Sequence, residues 1–101
     1  MNLTISGHQL DITEALRAYA ENKMQHLLES FERVIDVHMI LGTEKLDQYA
    51  EATVHVRGKK VFAKAQGQDA YAAIDGLIDK LKGQLVRHKE RLSEHRATAN
   101  G

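Results

Sequence analysis

Between Lys80 and Arg96 the chain reads KLKGQLVRHKERLSEHR, a stretch with six of its fourteen lysines and arginines and two of its six histidines. Ammonium and guanidinium groups only donate hydrogen bonds, and phosphate oxygens are their natural acceptors. On a helix turning roughly 100° per residue, Tyr71, Ile74, Ile78, Leu81, Leu85 and Leu92 form an apolar stripe. Lys80, Gln84, Arg87 and Arg91 line one flank of that stripe, Lys82 and Lys89 line the other, and Asp79 and Glu90 fall on the back. Cations ordered into a ridge are suited to binding the phosphates of a nucleic acid. A plainer explanation competes: cations near a helix C-terminus complement the helix dipole. That accounts for two or three of them without requiring a ridge.

No other set of reactive side chains has a recognised spacing. The chain lacks cysteine, which excludes disulfides, thiolate zinc sites and cysteine nucleophiles. It has no Gly-rich phosphate loop, no G-x-S-x-G and no H-E-x-x-H. Ser6, Ser30 and Ser93 have no positional case as nucleophiles, and His8, His26, His38, His55, His88 and His95 show no zinc-ligand spacing. Neither an enzyme nor a bound metal or cofactor is expected. His38, His55 and Phe62 are placed on an outer sheet face, where Phe62 is able to stack a base or simply to pack against a neighbouring strand.

Charge is unevenly distributed along the chain. Residues 1–51 carry four Lys/Arg against nine Asp/Glu, and residues 52–101 carry ten against five, so a formally neutral chain has two poles. Such a dipole orients a protein on a polyanion; the bland alternative is that the charges only keep the surface wet. Its 101 residues suit one domain. The chain shows no signal peptide and no apolar run of about 18 residues, so a soluble, cytoplasmic protein is expected, with no membrane partner and no small-molecule substrate.

The elements that must carry these side chains follow from periodicity. NLTIS, residues 2–6, alternates as a short strand. Asp11 with Glu14 fits a capping box, and the helix after it gathers Ile12, Leu16, Tyr19, Ala20, Met24, Leu27 and Phe31 on one face. In VIDVHMIL, residues 34–41, Ile35, Val37, Met39 and Leu41 alternate inward as a central strand, and GTEKLDQ reads as a loop. Ala52, Val54 and Val56 point inward in the next strand. Gly58 and Lys59 turn the chain into a fourth, with Val61, Ala63 and Ala65 inward. Asp69 is placed to cap the last helix. Run to about His95, that helix is roughly 40 Å long, against roughly 27 Å for an eight-residue strand. Its last turns, with Arg87, Lys89, Arg91 and Arg96, are therefore expected to overhang the sheet. Gly76 and Gly83 on it either admit another backbone closely or have no structural purpose. The order β-α-β-β-β-α predicts an α+β two-layer sandwich, a four-stranded sheet with both helices on one face. The first two strands are expected to be parallel and the others an antiparallel meander. Residues 1–95 form the domain, and 96–101 a short flexible tail.

Double-stranded RNA-binding domains also end in β-β-β-α, with lysines at the start of the last helix. Here that start, GQDAYAAID, holds Asp69 and Asp75 and has no base before Lys80. A plain A-form duplex is not the expected target.

The segment GQDAYAAIDGLIDKL, Gly67 to Leu81, together with ITEALR in the first helix and ATVHV before the hairpin, resembles the short ribosome hibernation-promoting factors of bacteria. These belong with the ribosome-associated inhibitors in the sigma-54 modulation protein family. The resemblance spans residues 1 to about 95 and implies the same β-α-β-β-β-α fold. It implies binding of the small ribosomal subunit and its rRNA at the cleft used by messenger RNA and transfer RNA. It also implies arrest of translation in stationary phase and pairing of idle ribosomes into dimers, with a second modulation factor acting in parallel. It places rRNA-binding cations at Lys80, Arg87 and Arg91 and, on the first helix, at Arg17 and Lys23. The chain departs from the family where relatives often carry a base, at Gly83, which Lys82 partly offsets, and at His26. The long family form adds a dimerisation domain that is not expected here. Two alternatives stay open: the related inhibitor, which has a longer tail and opposes ribosome dimers, and a module whose basic ridge grips an acidic protein.

Overall fold

The computed structural model describes residues 2–31 and 34–100, with side chains described as far as Lys89. Six elements follow in the expected order: β1 (Asn2–His8), α1 (Glu14–Leu28), β2 (Val34–Glu44), β3 (Asp47–Val56), β4 (Lys59–Gly67) and α2 (Ala70–Asn100). The strands form one sheet in the order β1-β2-β3-β4. β1 runs parallel to β2, and the two hairpins that follow are antiparallel. Alternation decides which face is covered. Val37, Met39, Leu41, Ala52, Val54 and Val61 are buried on one face, and both helices lay their apolar stripes there, as a one-faced sheet requires. α1 contributes Leu16, Ala20, Met24 and Leu27, and α2 contributes Ala73, Ile74, Leu77, Leu81 and Leu85. Neither helix is long and apolar enough, over its described residues, to cross a membrane.

Side-chain size sets how closely α2 approaches. Ala63 and Ala65 on β4 leave room for the helix, and a methyl group added at Gly76 would lie 3.1 Å from the Ala65 Cβ. Gly76 thus marks a close approach between helix and strand, whereas Gly83 faces open space. At the start of α2, Asp69 caps as expected: its Oδ1 accepts from the Ala72 amide at 2.8 Å.

Four local expectations are corrected. The N-cap of α1 is Thr13, not Asp11. The helix begins only at Glu14, and Thr13 Oγ1 accepts from the Leu16 amide at 3.1 Å. Ile35 points out and is 49% exposed, because the β2–β3 register slips between Val34 and Asp36. A bulge there leaves one residue unpaired, and Val34 packs on the core instead. Most of GTEKLDQ is strand: only Lys45 and Leu46 turn the chain, with Lys45 at φ 56°. Its Glu44 belongs to the open face, where Oε2 accepts from Lys64 Nζ and Gln66 Nε2, both at 3.3 Å. The second hairpin turns at Arg57 and Gly58, one residue early, with Gly58 at φ 78°, where glycine carries no Cβ penalty.

The stripe on α2 is also rotated from its expected position. Leu77 is wholly buried and Tyr71 is 41% exposed, its ring meeting Tyr19 of α1 edge-on at 4.9 Å. α2 continues to Asn100, past the expected end near His95. Leu85 is its last described residue in the core.

Candidate nucleic-acid interface

The two flanks of α2 face different neighbours. One lies along β4, an edge strand whose outer side has no strand partner. There Lys80 Nζ donates to the Lys64 carbonyl at 2.7 Å, and Gln84 Nε2 donates to the Phe62 carbonyl at 2.8 Å. Two members of the ridge therefore satisfy backbone acceptors that would otherwise face water or another strand. Arg87, next along this flank, is exposed. The expected partners of this flank and of the back face, Arg91 and Glu90, have side chains outside the described residues, as does Leu92.

The other flank faces α1 across an open groove of about 700 Å³. Leu27 from α1 and Phe31 from the segment after it, with Ile78 and Val86 from α2, supply its apolar lining. Lys23, Lys82 and Lys89 stand around it, with His26. Asp79 also lines the groove rather than the back of the helix. α2 meets α1 on this side, so the position assigned to the back of an isolated wheel is turned toward α1.

Lys23 and Lys89 each sit near an aromatic ring. Lys23 Nζ is 5.4 Å from the Tyr19 ring centroid and 3.9 Å from Asp75 Oδ1. Lys89 Nζ is 5.8 Å from the Phe31 ring centroid. Tyr19 closes the upper end of this arrangement by donating its hydroxyl to Asp75 Oδ1 at 2.5 Å. That bond, with smaller contributions from desolvation and the Asp75 charge, raises the Tyr19 phenol above its ordinary value. Lys23 is about half-exposed, as a lysine at the edge of an apolar face behaves.

The structure therefore divides six of the seven expected rRNA-binding residues, the seventh, Arg91, having its side chain outside the described residues. Lys23, Lys82 and Lys89 come together at the groove, and Lys80 and Arg87 lie on the β4 side. Arg17 is exposed and lies roughly 120° around α1 from Lys23, in neither group. Sequence reasoning missed Val86 and Phe31 as groove residues and Gln84 as an edge cover. Val86 carried a usable signal, an apolar side chain outside the buried stripe of α2.

On the open face, Phe62 is 53% exposed, in a cross-strand row with Thr53, His38 and Thr4. His55 Nδ1 lies 3.8 Å from Asp36 Oδ2. Among the described residues no three His, Asp or Glu side chains gather as a metal site.

Comparison with known proteins places this arrangement in a family. Residues 3–93 match the family described as Sigma 54 modulation protein / S30EA ribosomal protein. The chain is 50% identical over 95 residues to the ribosome hibernation promoting factor of Salmonella typhimurium, covering 94% of this chain and all of that one. It is 52% identical over 94 residues to the factor of the same name from Azotobacter vinelandii, covering 93% of this chain and 88% of that one. Among solved structures, a ribosomal subunit interface protein from Coxiella burnetii superposes with a TM-score of 0.85 at 30% identity, covering 89% of this chain and 99% of that one. The N-terminal domain of Thermus thermophilus Protein Y superposes with a TM-score of 0.79 at 31% identity, covering 87% and 99%. These relatives are named for hibernation and for the ribosome, not for a catalysed reaction. The chain belongs to the Sigma 54 modulation protein / S30EA ribosomal protein family.

Proposed function

We propose that this protein is a cytoplasmic ribosome hibernation factor. It binds the small ribosomal subunit through rRNA phosphates at the cleft used by messenger and transfer RNA. By occupying that cleft it halts translation without chemistry, and it favours pairing of idle ribosomes, with a second modulation factor acting in parallel. The observation that carries this reading is the meeting of Lys23 with Lys82 and Lys89 around one groove, from helices far apart in sequence. Relatives named as hibernation factors support the choice of target. Lys80, Arg87 and Arg91 add positive charge along the other flank of α2, and Arg17 adds it on α1.

The salt dependence of binding to purified small subunits tests it. With about four phosphates contacted and a slope near −0.7 for each, affinity falls roughly 50-fold between 50 and 200 mM salt. A flat affinity across that range, or equal binding to an acidic protein in ribosome-free lysate, overturns the phosphate reading.

A further inference from the structure

We propose that the groove between α1 and α2 receives a single unstacked nucleotide of the bound RNA, its base on the apolar lining and its phosphates on the lysines. This rests on the reading above and adds to it that the contact is not made to phosphates alone.

A surface that serves only as a phosphate rail needs cations on a polar ground. Here the three lysines stand around Leu27, Phe31, Ile78 and Val86 instead. Apolar side chains left in an open groove lose contact with water favourably when a flat, weakly hydrated ring covers them. Bases turned out of a strand are recognised in this way, by stacking on aromatic and apolar side chains while cations hold the backbone. The groove, at about 700 Å³, falls in the range of roughly 300–1,000 Å³ typical of sites for small ligands. Its one acid, Asp79, is an acceptor among donors. A purely polyanionic guest gains nothing from it, whereas a nucleotide offers it a ribose hydroxyl or an exocyclic amine. The charge of the rim favours nucleic acid over an apolar protein segment, which would leave three ammonium groups beside a greasy surface.

Two groove-filling variants that add no aromatic ring keep every lysine: Val86→Met from α2 and Ser30→Met from the turn after α1. Both are measured for binding to purified small ribosomal subunits, after circular dichroism and thermal melting establish that each is folded. Stacking of one base contributes at least about a fivefold gain in affinity. Each variant is therefore expected to bind at least about fivefold more weakly, with the salt slope of the parent. Parent-like affinity in the folded variants overturns the proposal while leaving the phosphate reading intact. A photoreactive benzophenone side chain placed at position 86 gives an independent readout. Irradiation of the complex is expected to join it to one nucleotide of the rRNA. Attachment to a ribosomal protein, or no attachment in a complex that has formed, overturns the proposal. Failure of the parent protein to bind small subunits at all removes the underlying reading and this inference with it.

Discussion

On the β4 flank of α2, Lys80 and Gln84 spend a donor each on strand carbonyls. On the α1 flank, Lys82 and Lys89 face a groove and, among the described residues, meet no such acceptor. A helical wheel gives the two flanks comparable positive character. What separates them is the neighbour: an edge strand carries orphan carbonyls that attract any donor alongside, and a second amphipathic helix does not. An ammonium has three donors, so Lys80 retains some capacity for phosphate, but its position is set by the strand. The β4 flank thus serves the fold first, and the groove flank is free to serve a ligand.

The largest expected effect pits two charges against two. Lys82→Gln with Lys89→Gln should weaken binding to small subunits on the order of tenfold or more near 0.1 M salt. Two lost phosphate contacts lower the salt slope by about 1.4. Lys80→Gln with Arg87→Gln should cost clearly less, because part of the Lys80 ammonium is already engaged. Equal losses, measured by sedimentation with subunits over a salt series, would erase the distinction and return both flanks to a general positive field.

Stability should show the reverse order. Lys80→Met with Gln84→Met strips the Lys64 and Phe62 carbonyls of their side-chain donors. Exposed bonds of this kind contribute at the low end of the range, about 0.5 kcal/mol each. Their joint loss of about 1 kcal/mol lowers Tm by roughly 4–8 °C in a domain of this size. An uncovered edge also invites pairing between molecules, which analytical ultracentrifugation detects. Lys82→Met with Lys89→Met should leave Tm close to the parent. A drop as large in the groove pair would mean that those lysines also hold the fold together.

How far the sequence could be read follows from what each pattern depends on. The element order, the parallel first pair and the inward rows of β3 and β4 follow from local alternation and were legible. Ile35 was not, because a bulge is a property of two strands in register and leaves no mark on one of them. Asp11 and Thr13 are both good capping residues, and only the first helical φ/ψ decides between them. The polar run after Leu41 resembles a loop because the partners of its Glu44, Lys64 and Gln66, lie some twenty residues away. At the site, the cations of α2 were legible as a group, but their division was not. Periodicity assigns a residue to a face of its own helix. It does not tell whether a strand edge or another helix lies beyond that face. Asp79 shows the consequence most plainly: acidic and off the stripe, it reads as solvated back, yet it lines the groove.

The smallest expected effect concerns Asp75, which keeps Lys23 at the upper end of the groove. Its carboxylate lies 3.9 Å from Lys23 Nζ and accepts the Tyr19 hydroxyl. Both charged side chains are about half-exposed, and pairs of this kind are worth about 0.2–1 kcal/mol. Removing the acid by Asp75→Ala frees Lys23 for phosphate, so binding to small subunits should tighten, by about fivefold at most. The same substitution has a spectroscopic signature. The hydrogen bond to Asp75 holds the Tyr19 phenol above its ordinary value of 10.0, so its folded pKa exceeds its unfolded one. The bond's contribution to stability is then complete below about pH 10 and is lost as pH rises through the raised value. In an alkaline titration followed by phenolate absorbance, Tyr19 should ionise later than an unperturbed tyrosine, and Tyr19→Phe identifies its share of the signal. Asp75→Ala should bring that late step back toward the ordinary range while binding tightens. If the late step persists, Asp75 is not what holds Tyr19. If it vanishes while binding is unchanged or weaker, the acid does not restrain Lys23, and the groove flank is freer of internal partners than the contact implies.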